Sequence, residues 1–231
     1  MLFIGKRGCV RFADELRALG YEPFALEPLP GLNAIVADHA DTLLCDLGDE
    51  LVVPREVAAR MPTPPERLRI ITERPRGDYP EDVCLNALRV GERLFARLES
   101  LSDELRSAAE EKGMKLVNVR QGYARCTALP LGDAVITADK GIAKALRCEG
   151  IETLLIPAGG IALEGCQYGF IGGASFFDEK RRRAVFFGSL PESFACDVRE
   201  FCRARGVCVA ELRGELTDFG GAVYSPSNTR T

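Results

Sequence analysis

Histidine is almost missing from this chain of 231 residues: His39 stands alone among 34 acidic and 30 basic side chains. A zinc site built on paired histidines is excluded, and structural zinc is not expected, because close-spaced ligand pairs are also missing. Tryptophan is absent and methionine occurs three times. There is no Gly-x-Ser-x-Gly, so a serine nucleophile elbow is unsupported. Gly159-Gly160 and Gly172-Gly173 complete neither a Gly-x-Gly-x-x-Gly nor a phosphate loop, so nucleotide binding is unsupported. No apolar run approaches the roughly 18 residues of a membrane span, and the start lacks a basic-then-apolar leader. None of the nine cysteines pairs in a Cys-x-x-Cys, and their number is odd. Reduced thiols in a cytoplasmic protein are therefore expected. The net charge of −4 and pI near 5.3 argue against nucleic-acid and acidic-membrane partners. The basic run Lys180-Arg181-Arg182-Arg183 follows Asp178-Glu179 and reads as a solvated hairpin tip.

What is present is ordinary globular material, 46% hydrophobic and 28% charged, enough for one core and one domain. A repeat organises it. Gly20, Gly113, Gly150 and Gly206 each stand where a helical pattern ends and a short apolar run begins. A fifth such run is Leu68-Arg-Ile-Ile-Thr. Each is followed by a turn-rich stretch and a second strand-like run closing on a small residue. In order these run from Asp41 to Gly48, Cys84 to Gly91, Arg125 to Gly132, Cys166 to Gly173 and, more loosely, Asp218 to Pro226. A third run pairs back as a hairpin, and helical patterns such as Ser102-Asp-Glu-Leu and Asp139-Lys-Gly-Ile close the units. Asp139 is read as a cap and carries no chemistry. The predicted fold is α/β with five β-β-β-α units, about 20–67, 68–112, 113–149, 150–205 and 206–231 plus 1–19. The last copy lacks its final strand and helix, which Leu2-Phe-Ile-Gly and the helix around Arg11 supply. The termini thus share a unit and close a ring.

Five such units around a central channel resemble the pentein superfamily, the fold of arginine deiminases, dimethylarginine dimethylaminohydrolase and amidinotransferases. His39-Ala-Asp41-Thr42 resembles the His-x-Asp-Thr of arginine deiminases. The segments Asn118–Tyr123, Asp139–Lys144 and Tyr168–Ala174 are similar to a bacterial family of unknown function assigned to this fold. The resemblance implies attack of a cysteine thiolate on a guanidinium carbon, a histidine as general acid and base, carboxylates holding the guanidinium, and no cofactor. It implies a small guanidino or amidino ligand and leaves a homo-oligomer open.

If the second strand-like runs are extended from their first residue, every other side chain faces the channel. His39 and Asp41, Cys84 and Asn86, Tyr123 and Arg125, Glu164 and Cys166, and Asp218 then form the lining. Penteins that hydrolyse carry their cysteine near the carboxyl terminus, where this chain has none. The copy after His39 opens with Cys84, which becomes the favoured nucleophile beside His39 and Asp41. Cys126 is one residue out of register and is the alternative nucleophile only if a bulge turns it inward. Glu164, Asp218 and Asn86 are candidate substrate contacts, and Arg125 either meets a substrate carboxylate or pairs with Asp41 or Glu164. Two functions remain open: a guanidino-modifying hydrolase or transferase, and a non-catalytic scaffold for a protein or ribonucleoprotein partner.

Overall fold

Short apolar runs bounded by turn residues make short strands, and fifteen of them occur among the described residues. In the computed structural model these residues are 1–61 and 68–224. Ser225 and Pro226, which end the fifth strand-like run, and the unit boundary at residue 67 lie outside them. The chain opens with β1 (Leu2–Gly5), α1 (Lys6–Ala18) and β2 (Pro23–Leu26). The single helical turn α2 (Ala40–Leu43) leads into β3 (Cys45–Asp46), β4 (Leu51–Pro54), α3 (Arg55–Ala58) and β5 (Leu68–Ile71). The next set is β6 (Leu88–Val90), β7 (Arg93–Ala96), α4 (Asp103–Glu111) and β8 (Lys115–Asn118). Then come β9 (Ala128–Pro130), β10 (Ala134–Thr137), α5 (Lys140–Cys148) and β11 (Glu152–Leu155). Last are β12 (Ser175–Asp178), β13 (Arg183–Phe186), α6 (Glu192–Ala204), β14 (Cys208–Glu211) and β15 (Ala222–Tyr224).

The strands form five three-stranded sheets of one design. An inner strand pairs antiparallel with a middle strand, a helix crosses back, and an outer strand joins the middle one in parallel. The fifth sheet, β15-β1-β2, is assembled from both ends of the chain, with Leu2 opposite Tyr224 and Leu2 beside Pro23. Closure removes a free inner edge from the ring.

The helices follow from cap and periodicity. Ser102 Oγ accepts the Leu105 N–H at 3.1 Å to start α4, and Asp139 Oδ1 accepts the Ile142 N–H at 2.8 Å to start α5. Ile142 and Leu146 then sit four apart on the buried face of α5. That helix stops at Gly150, whose φ of +75° suits a residue without a Cβ. Five apolar clusters each seal two adjacent sheets. Leu88, Phe95, Val135 and Ile142 join the second and third, for example, and Ile136, Phe186, Phe194 and Val198 the third and fourth. Fully burying one such side chain contributes roughly 1.5–3 kcal/mol.

One local expectation fails, and it matters for the site. In four copies the backbone ahead of the inner strand is not extended but makes a helical turn. These are α2, the 3-10 turn Glu81–Val83, residues 124–127 and residues 171–174. Thr127 N donates to Tyr123 O at 3.0 Å, and Ala174 N to Phe170 O at 2.9 Å. Successive side chains on such a turn rotate by about 100°, so the every-second-residue rule does not apply there.

Candidate active site

His39 precedes α2 and Asp41 lies inside it, and the sharp start of that turn is held by the fifth copy. Asp41 N donates to Gly220 O at 3.0 Å. A Cβ at Gly220, where φ is +74°, would lie 2.2 Å from His39 Cβ, so only glycine lets the two segments approach this closely. The helical turn of the third copy aims Cys126 at the same point. Ligand atoms of His39, Asp41 and Cys126 all lie within 4.8 Å of one another, and Cys126 Sγ is 2.6 Å from Asp41 Oδ2. All three are buried, His39 at 1%, Cys126 at 2% and Asp41 at 3% exposure.

Asn86 locks the thiol in place from the second copy. Its Oδ1 accepts the backbone N–H of Arg125 at 2.8 Å and of Cys126 at 3.3 Å, while Nδ2 donates to Cys126 Sγ at 3.5 Å. Asp218 is similarly committed: its Oδ2 accepts from Phe170 N at 2.8 Å and its Oδ1 from Gly220 N at 2.9 Å. Arg125 donates to Ala128 O at 2.9 Å and, more weakly, to Gly172 O at 3.4 Å.

Electrostatics in this dry cluster are dominated by burial. Asp41 is pushed up to about 7, first by burial and then by the nearby Asp218 charge, against the Cys126 hydrogen bond and Arg125. The Cys126 thiol is pushed well above its ordinary range by burial, with Asp41 and Asp218 adding to it. His39 is lowered by burial, against the pull of Asp218 and Asp38. The ring is therefore neutral at pH 7, and among the described residues neither of its nitrogens has a hydrogen-bond partner, nor does Asp41 Oδ1.

The remaining candidates lie elsewhere. Cys84 ends the 3-10 turn of the second copy and packs against the cluster of Leu85, Leu94 and Leu105 under α4. Its carbonyl accepts the Ser102 N–H at 3.0 Å, and burial followed by Glu73 pushes its thiol up to about 12. Cys84 is thus outside the His39 cluster, because the chain turns helically where an in-register strand was expected. No bulge is needed to bring Cys126 inward. Arg125 makes no ion pair with Asp41 or Glu164 among the described residues. Glu164 and Cys166 are exposed on a turn. Sequence reasoning missed Asp38, which Arg7 holds at 2.7 Å behind His39, and the buried Asp82 bonded to the Tyr123 hydroxyl. No spacing pattern marks either, because both partners come from other copies.

Two cavities flank the cluster. A central channel of about 800 Å³ is walled by all five inner strands and ends on Asp41, Arg125 and Gly220. On the loop face a cleft of about 840 Å³ is lined by Arg7, Arg11, Glu164, Tyr168 and Asp218.

The fold is that of dimethylarginine dimethylaminohydrolase. Three solved structures of dimethylarginine dimethylaminohydrolase share it, each aligned over 92% of this chain and 91% of its own. The adduct with S-methyl-L-thiocitrulline superposes with a TM-score of 0.55 at 10% identity. The adduct with 4-chloro-2-hydroxymethylpyridine gives 0.54 at 11%. The Pseudomonas aeruginosa protein complexed with citrulline gives 0.52 at 10%. No curated protein matches the sequence. The sequence model of the Family of unknown function (DUF6873) matches residues 3–223, and the chain belongs to that family.

Proposed function

We propose that this protein is a hydrolase or transferase acting on a small guanidino or amidino compound, with Cys126 as nucleophile, His39 as general acid and base, and Asp41 as partner of the cationic group. The observation that carries the reading is the convergence of a thiol, an imidazole and a carboxylate within 4.8 Å from positions 85 residues apart. Similarity to proteins whose structures hold citrulline or S-methyl-L-thiocitrulline supports the choice of ligand class.

The chemistry follows from the charges. In the ligand-free cluster, burial and the carboxylates keep the thiol protonated. A guanidinium beside Asp41 brings the positive charge that reverses this, so the thiol proton passes to His39 when substrate arrives. The thiolate forms a bond to the guanidinium carbon, and the tetrahedral adduct expels ammonia or an amine that takes the His39 proton. Water, deprotonated by His39, then attacks the thiouronium carbon and releases the ureido product and the thiol. In a transferase an amine replaces that water.

The rival reading, a binding scaffold, draws on the near-complete burial of Cys126 and His39. Inactivation by a chloroacetamidine-type reagent, mapped by mass spectrometry, separates the two. The expected adduct is on Cys126, absent in Cys126→Ser and slowed by about 10²–10⁴-fold in His39→Ala. Labelling confined to the exposed Cys148, Cys166, Cys196 and Cys208 would reject the enzyme; an adduct on Cys84 would move the nucleophile.

A further inference from the structure

Two guanidinium groups in the central channel are short of partners. Arg125, at its inner end, enters no ion pair among the described residues. Only its Nη1 is hydrogen-bonded there, to the Ala128 and Gly172 carbonyls at 2.9 and 3.4 Å. Charges withdrawn from bulk water are ordinarily paired, and burial lowers this guanidinium. Arg89, on β6, also lines the channel. Its Nε is buried without a partner among the described residues, and its ion pair with Asp46 is long, at 3.8 Å. We propose that the central channel binds a small free oxyanion, of the phosphate type, between Arg89 and Arg125.

The channel selects both charge and shape. Inside it the two guanidinium groups face one ordinary carboxylate, Asp46, because Asp41 keeps its proton up to about pH 7. Asp46 is partly committed, since its Oδ1 accepts the Gly48 N–H at 2.7 Å. It also ties the two cations to one place: it pairs with Arg89 and its charge acts on Arg125. At the mouth, Lys180 and Arg182 are matched by Asp133 and Glu179, so the positive excess lies within. Protein walls of low dielectric focus that field. A guanidinium fork meets an oxyanion through two parallel N–H···O bonds, which a spherical halide cannot reproduce, and a tetrahedral oxyanion has oxygens for two forks. Room is provided. A Cβ at Gly48, where φ is +95°, would stand 3.3 Å from Arg89 Cζ, and the volume of about 800 Å³ leaves space for bridging water.

Binding stands on the channel cations and needs neither the thiol nor the imidazole. The test titrates reduced full-length protein with inorganic phosphate by calorimetry, at fixed ionic strength in chloride. One equivalent is expected. Arg89→Gln and Arg125→Gln should each weaken binding by about 10–100-fold, the loss of a charge-assisted hydrogen bond. Arg203→Gln, on the exposed side of α6, should change nothing. Should a variant fail to fold, phosphate protection of wild-type Arg89 against phenylglyoxal, with Arg203 left reactive, reads the same site. Protein carrying a chloroacetamidine adduct on Cys126 should still bind phosphate. Loss of binding there would place the anion in the substrate subsite and overturn a separate channel site, as would no binding, binding indifferent to Arg89→Gln, or no protection. Phosphate binding to a protein whose Cys126 resists the reagent would instead sink the hydrolase and leave the channel site standing.

Discussion

His39 and Asp41 sit two residues apart, yet burial drives their titrations to opposite effects on stability. Asp41 has a folded pKa of about 7 against an ordinary 3.8. Between those values the unfolded chain has lost the proton and the folded one keeps it, so stability falls as pH rises and levels off above about 7. For Asp41→Asn this fall disappears, and the variant should gain on wild type by a few kcal/mol between about pH 4 and 7. His39 is lowered from 6.5, so the unfolded chain takes up a proton first and stability falls as pH drops below that value. His39→Gln should flatten that acid limb. Urea unfolding of the three proteins across this range checks both signs, and parallel curves would refute the assignment. The two residues were legible in the sequence because they are adjacent on one short motif. Cys126 was legible only as the alternative nucleophile, since its place depends on a contact with another copy.

The small helical turns ahead of the inner strands are the elements that place the candidate site residues. Asn86 braces the third of them by accepting the backbone N–H groups of Arg125 and Cys126. Asn86→Ala orphans both, at about 1–3 kcal/mol for each buried donor left unpaired. The loosened turn should also change the rate at which a small alkylating reagent reaches Cys126. Ser102→Ala provides the contrast: losing the cap on α4 should cost about 1 kcal/mol in denaturant melts and leave Cys126 reactivity alone. The long helices were readable from caps and period, as Ser102 and Asp139 illustrate. The turns were not. Four residues of local hydrogen bonding inside an apolar run look the same in sequence as the start of a strand.

At the scale of the ring, β15 and β1 pair antiparallel where the other four sheets have a hairpin between inner and middle strands. Joining the termini and opening the chain between Gly132 and Asp133, at the tip connecting β9 and β10, should therefore preserve the fold. A circular dichroism spectrum and melting temperature close to wild type are expected. Deleting residues from Ala222 onward should do the reverse, because it bares the edge of β1, whose Leu2, Phe3 and Ile4 are fully buried. A lower melting point with concentration-dependent aggregation is the outcome to look for in light scattering, and a wild-type melt would contradict closure.

What the sequence determined by itself is the repeated architecture, since period and caps are local signals carried within each unit, while His39 and Asp41 stood in it as a candidate pair. Which cysteine faces that pair was decided only in the folded ring. There a one-residue difference between a strand and a helical turn sends Cys84 under α4 and brings Cys126 to His39. The same folding gathers a thiol, an imidazole and a carboxylate from separate copies, an assembly that no local signal in the sequence announces.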